Sequence, residues 1–224
     1  MKKGKEKINS ELLMDRPGSK WPKVALCAMV LVTVLASVYY VKSFLPRHRL
    51  GQAVRLAGQA EEKGDHPQAV KIYSAALELD GLSDPERARL YLFRGNSLLK
   101  INIWSDAARD FSQSVRCDPG YAKGYNNLAL VLAACPEQDL RDPRQAVGLA
   151  RRALRISPTA SHYDTLATAL AAEGDFKQAI AAQEKAMELF KENGEDTVVI
   201  EEAESRLQLY RSATPYLLGQ LESN

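Results

Sequence analysis

Residues 64–80, GDHPQAVKIYSAALELD, and residues 174–189, GDFKQAIAAQEKAMEL, read almost alike although 110 positions separate them. Each opens on Gly-Asp, reaches Gln-Ala after two more residues, carries another alanine seven positions past the first and comes to Glu-Leu two residues later. A glycine followed by aspartate breaks a helix and turns the chain. Alanines seven apart, with one side chain midway between them, lie on a single helical face.

Two further copies lie between these. The second-helix sets are Ala69/Tyr73/Ala76, Ala107/Phe111/Ser114, Ala146/Ala150/Ala153 and Ala179/Gln183/Ala186. Each is preceded by a first-helix set at the same spacing: Ala53/Leu56/Ala57/Ala60, Tyr91/Arg94/Gly95/Leu98, Tyr125/Leu128/Ala129/Leu132 and Tyr163/Leu166/Ala167/Leu170. Small residues in the middle of a face let two helices approach closely, and larger ones fill the gap to the next pair. One such pair cannot bury its own apolar face, whereas stacked pairs build a continuous core.

These recurring slots resemble the tetratricopeptide repeat (TPR) family over residues of about 50 to 190. Gly64-Asp65 and Gly174-Asp175 read as turns within pairs, and Pro119 and Pro158 close the second and third repeats. The resemblance implies an all-α fold, a right-handed superhelical stack of about four helix hairpins over 53–193 (53–83, 88–121, 122–159 and 160–193). The chain departs from the 34-residue period: Ala69 to Ala107 is 38 and Ala107 to Ala146 is 39, with surpluses in DGLSDPER and CPEQDLRDPRQ. Repeat one lacks the large opening residue, and repeat four has Gln183 in an aromatic slot, as end repeats often do. Residues 194–214 read as a capping helix, with Val199, Ala203, Arg206, Leu207 and Tyr210 on one side and Glu201, Glu202 and Glu204 on the other. A loosely held tail is expected over 215–224.

The N-terminal part is different in kind. Val24–Val41 is 18 residues without a charge or proline, about 27 Å as a helix and close to the thickness of a bilayer core. A transmembrane signal-anchor is therefore expected over 24–44, between a basic tail, 1–23, and a juxtamembrane linker, 45–52. Residues 1–49 hold ten Lys/Arg against three acids, a net +7; the remainder holds twenty against twenty-five, a net −5. The folded part is thus mildly acidic, which argues against a nucleic-acid partner. Seven of the ten cations precede the apolar run, which favours a cytoplasmic N-terminus and a translocated repeat domain. In a bacterium the domain would be periplasmic, with the anchor in the inner membrane; in a eukaryote an organelle membrane is the alternative. A signal peptide cleaved after VLA at Ala36 is the rival to an uncleaved anchor.

No constellation for chemistry stands out, so no enzyme, cofactor, metal or small-molecule substrate is expected. The chain lacks Gly-x-x-x-x-Gly-Lys, Gly-x-Gly-x-x-Gly and Gly-x-Ser-x-Gly. His48, His66 and His162 are scattered, and the acid-base cluster DLRDPRQ reads as a turn in which Asp142 caps a helix opened by Pro143. Cys117 and Cys135 sit about 20 Å apart along the chain's helices, too far for a disulfide. What remains is the inner face of the stack. By resemblance it would present Arg89, Leu92, Asn96, Lys100, Lys123, Asn126, Leu130 and Asp164 to a protein or peptide. The family's clamp for a C-terminal carboxylate would fall on Val54, Gly58, Phe93, Lys123 and Asn127, where Lys123 alone matches, so that ligand is not expected. Two functions follow: a non-enzymatic membrane-anchored adaptor, or a structural accessory subunit of a membrane or envelope complex in secretion, cytochrome maturation or cell-wall assembly.

Overall fold

The structure, a computed structural model, describes residues 21–41 and 45–220. Most of the basic tail expected over 1–23, the end of the apolar segment at 42–44 and residues 221–224 lie outside the described residues. The chain divides into two compact units, Met1–Leu45 and Pro46–Asn224. Among the described residues all regular structure is helical.

In the first unit, helix α1 spans Trp21–Tyr39 and continues into a wider turn at Tyr40–Val41. Every described side chain from Leu26 to Val41 is exposed. Thr33 donates to the Val30 carbonyl at 2.8 Å and Ser37 to the Thr33 carbonyl at 2.7 Å, so the hydroxyls of the run are satisfied within the helix. Among the described residues no helix is long and apolar enough to cross a membrane. The span expected over 24–44 reaches beyond those residues and stands as a proposal.

The second unit is a stack of helix pairs: α2 (Leu45–Glu62) with α3 (His66–Leu77), α4 (Asp84–Lys100) with α5 (Trp104–Cys117), α6 (Ala122–Ala134) with α7 (Pro143–Ile156), and α8 (Ala160–Glu173) with α9 (Phe176–Glu192). Helix α10 (Thr197–Arg211) closes the end. Gly64 and Gly174 adopt the left-handed conformation, φ +74° and +92°. Asp65, Asp142 and Asp175 then cap α3, α7 and α9 by accepting the third backbone N–H of each helix. The duplicated Gly-Asp is thus a stop and a start in two residues.

The alanines of the second helices are the wall. Ala69, Ala107, Ala146, Ala150, Ala153, Ala179 and Ala186 are fully buried, with Tyr73, Phe111 and Gln183 between them. First-helix Ala57, Ala129 and Ala167 are equally covered, and Gly95 faces the Phe111 ring so closely that a Cβ there would lie 2.6 Å from it. Polar contacts tie the layers together: Arg94 of α4 forms a two-pronged pair with buried Asp110 of α5, both bonds at 2.7 Å, and also donates to Ser74 of α3 at 3.1 Å.

Two boundaries differ from expectation. The stretch 45–52, read as a linker, is the first two turns of α2. Proline is tolerated in a first helical turn, no breaker follows, and Leu50 and Ala53 pack on the Tyr73 cluster. The tail expected to be loose from 215 is held as far as Leu218. Tyr216 and Leu218 pack on the cluster of repeats three and four, the Leu218 N–H donates to the Ala134 carbonyl at 2.8 Å, and the Arg206 guanidinium lies 5.6 Å from the Tyr216 ring centre.

Candidate protein-binding groove

The first helices of repeats one to three come together around an open concavity of about 410 Å³. Glu61 comes from the end of α2, His66 from the start of α3, Phe93, Asn96, Ser97, Leu99 and Lys100 from α4, and Asn127 and Leu130 from α6. Helical spacing explains the α4 contribution: residues 93, 96, 97 and 100 recur every three or four positions on one side of the helix.

Its floor is polar and ordered. Ser97 donates to Glu61 Oε1 at 2.6 Å and Tyr73 donates to Glu61 Oε2 at 3.3 Å. Burial, and then the nearby Glu61 charge, push the Tyr73 phenol well above its ordinary pKa, so it remains a donor. Along one wall Asn126 Nδ2 donates to Asn127 Oδ1 at 3.3 Å, and Asn127 Nδ2 to Asn96 Oδ1 at 2.7 Å. Asn96 spends its oxygen in that ladder, leaving its amide donors as the groups available to a ligand. Phe93, Leu99 and Leu130 give the same concavity apolar sides. A site of this make-up offers amide hydrogen bonds to an extended backbone and an apolar recess for a side chain.

The expected groove residues divide sharply. Asn96, Lys100 and Leu130 line the concavity. Arg89 and Lys123 are exposed but lie outside its lining. Leu92 and Asn126, only 3% and 6% exposed, are buried, Leu92 in the cluster of Phe111 and Leu128, and Asn126 meets the hollow only through its bond to Asn127. Asp164 is committed elsewhere: its Oδ1 accepts from Arg206 Nε at 3.0 Å and from Gln183 Nε2 at 2.7 Å. These three share one slot, a position that faces the neighbouring repeat as much as the hollow. Asn127, Phe93 and His66, with Glu61, Ser97 and Leu99, complete the lining. The first two could be found from sequence, since they fall at the clamp slots with other chemistry.

The cluster DLRDPRQ forms a single 3-10 turn, Gln138–Leu140, before the Asp142 cap. Among the described residues no group of three or more His, Cys, Asp and Glu is placed to hold a metal. Cys117 and Cys135 are free thiols, and burial raises the pKa of each.

No family model matches the chain. Solved structures do. BtubC (BKLC) from P. vanneervenii superposes with a TM-score of 0.62 at 18% identity, over 88% of this chain and 85% of that one. TTC0263, a thermophilic TPR protein in Thermus thermophilus, gives 0.57 at 24% identity, over 77% and 84%. A MamA protein gives 0.51 at 18%, over 74% and 91%. At these identities the likeness is one of fold, and that fold is the TPR stack. The second unit is a helical-repeat module of the kind the duplicated Gly-Asp segments implied.

Proposed function

We propose that this chain is a non-enzymatic, membrane-anchored TPR adaptor that holds an extended segment of a protein partner in the hollow between α2, α4 and α6. The observation that carries the reading is the Asn127–Asn96 ladder beside Phe93, Leu99 and Leu130. Amides that pair with one another at the edge of an apolar recess are suited to exchange that bond for a peptide backbone. Each such bond contributes about 0.5–1.5 kcal/mol, so affinity would be modest and the anchor would add effective concentration at the bilayer.

The anchor is supported by the unbroken apolar run Val24–Val41 and by the exposure of α1 on every described side, a surface that lipid would cover. The excess of Lys/Arg ahead of the run supports a cytoplasmic N-terminus with the repeats translocated, into the periplasm in a bacterium.

The test places a photoreactive residue at Asn96, Asn127 or Leu130, with Lys71 and Lys177 on the second helices as controls. Crosslinks to one partner from the first set and none from the controls are expected. Replacing Asn96 and Asn127 together by Ala should lower capture about tenfold while leaving the helical circular dichroism unchanged. Capture lost from the control positions and kept in the double variant would overturn the groove. A fixed-stoichiometry complex that survives mild detergent and ignores the double variant would favour the accessory-subunit role.

A further inference from the structure

The inner face of the stack is open over its first half and occupied over its second. Immediately after Leu98, Leu132 and Leu170 of the first-helix sets come Leu99 and Lys100, Ala133 and Ala134, and Ala171 and Ala172. Equal spacing places these pairs on one side of successive helices. In α4 the pair lines the hollow. In α6 and α8 alanine replaces the longer side chains, and Ala133, Ala134 and Ala171 are all but fully buried. The chain's own tail covers them. Tyr216 and Leu218 pack on the cluster to which these alanines belong, and the Leu218 N–H donates to the Ala134 carbonyl at 2.8 Å. Leu130 belongs to both halves, since it lines the hollow and packs on the same cluster as the tail.

We propose that Pro215–Leu218 is a built-in ligand of the inner face over repeats three and four, and that a partner segment of the same make-up, an aromatic residue with an aliphatic one two positions on, takes its place. The tail sits there as an occupant and not as part of the core. Thr214–Leu217 has no regular structure, and the Tyr216, Leu217 and Leu218 side chains stay half-buried between exposed neighbours on both sides. Side chains two apart in an extended segment fall on one side, so Tyr216 and Leu218 dock together. The backbone bond goes to Ala134, the last residue of α6, whose carbonyl has no partner within its own helix. The turn that sends the tail back is strained. Ala213 has φ +53°, the region that Gly64, Gly81, Gly174 and Gly194 occupy and that costs a residue bearing a Cβ. The tail also underfills its site: beside Pro215 a concavity of about 350 Å³ remains, bordered by Ala133, Arg141 and Ala172. A partner with a bulkier residue ahead of the aromatic would make contacts there that proline does not. This site requires neither the anchor nor the hollow between α2, α4 and α6.

The probe is a fluorescein-labelled peptide of residues 213–220, ATPYLLGQ, titrated by fluorescence anisotropy against the full-length chain in mild detergent and against the chain ended after Thr214. The shortened chain should bind it. The intact chain should bind at least about tenfold more weakly, because the attached tail competes at high effective concentration. A peptide carrying Tyr216→Ser and Leu218→Ser should not bind, and a benzophenone replacing Leu217 in the peptide should crosslink to the ends of α6 and α8. Should the shortened chain lose helical circular dichroism, full-length Leu218→Ser, which alters one half-buried side chain only, replaces it with the same order of affinities expected. No binding to the weakened chain, equal affinity for the intact one, or equal binding of the serine peptide overturns the proposal. So does crosslinking to α4 alone, which would put the peptide in the other hollow. Tail-dependent dimers of the intact chain in light scattering would make a second copy the occupant and overturn it as well. The hollow is tested apart: absence of partner crosslinks from Asn96 and Asn127 refutes that reading and leaves this site standing.

Discussion

Gly95 and Gly148 make the close approach of the helices measurable. Both lie inside helices, α4 and α7, and replacing either by Ala makes the same local change. In a helix interior that change contributes about 1 kcal/mol of stability by itself. Their surroundings differ completely. An added Cβ at Gly148 meets nothing within 4 Å, whereas at Gly95 it would lie 2.6 Å from Phe111 Cε1 and 3.0 Å from Cδ1 and Cζ. The ring cannot swing aside: Phe111 is fully buried and shares its cluster with Leu92, Leu98 and Leu128. Overpacking of this kind costs about 1–3 kcal/mol. Gly148→Ala should therefore raise stability by about 0.5–1 kcal/mol, and Gly95→Ala should lower it by up to about 2 kcal/mol. The difference between them isolates the contact, because the propensity gain cancels. Gly95→Leu should cost several kcal/mol. The assay is urea denaturation of residues 46–224 followed by circular dichroism, with midpoints compared at unchanged slope. Adding Phe111→Leu to Gly95→Ala should recover part of the loss by relieving the clash. Equal shifts for the two alanine variants would refute the account of why a glycine stands in the fourth helix.

The end of the stack depends on Asp164: Asp164→Ala would leave the Arg206 side chain, 9% exposed, without its closest partner, and a loss of about 3–5 kcal/mol is expected in thermal or urea unfolding. Ending the chain after Thr214 removes half-buried Tyr216 and Leu218 and should cost about 2 kcal/mol; an unchanged midpoint would show that the tail is not held. Glu86 accepts from the Ser83 hydroxyl at 2.7 Å and the Ser83 N–H at 2.8 Å, and these bonds hold its pKa below the ordinary 4.5. A depressed folded value stabilises above the unfolded pKa. The advantage of wild type over Glu86→Gln should thus be full at pH 7, shrink as the pH drops past 4.5, and vanish below the folded value. A difference that grows on acidification would reverse the sign.

Much of the repeat architecture was legible because its signals are local. Alanines at seven-residue spacing, a Gly-Asp turn and an Asp-Pro helix start each act within about two turns of chain, and Ala69, Asp65 and Asp142 do in the structure what that chemistry requires. The groove was less legible for a physical reason. Spacing assigns a residue to a face of its own helix, but a first helix has neighbours on several sides, and the slot of Leu92, Asn126 and Asp164 lies where two sides meet. Which side wins depends on residues far away. Asp164 is claimed by Arg206, 42 positions on, and the tail is claimed by the carbonyl of Ala134, 84 positions back. Pairings at that separation leave no periodic trace.

The odd residue of the fourth repeat, Gln183, shows the same physics in reverse. Where its counterparts Tyr73 and Phe111 fill the slot with a ring, Gln183 is fully buried and reaches two acceptors, Asp164 Oδ1 at 2.7 Å and the Ala203 carbonyl at 3.2 Å. Beside it Thr168 and Tyr210 share a buried hydrogen bond at 3.0 Å. An apolar ring would have packed equally well against any following repeat. A polar network tied to Arg206 and Tyr210 is matched to α10, although Gln183 Oε1 stays unpaired even there; a helix without those two side chains would leave further groups unpaired at about 1–3 kcal/mol each. The fourth repeat is thereby fitted to α10 in particular, whereas the same slot of the first repeat holds the buried ring of Tyr73, as that of the second holds Phe111.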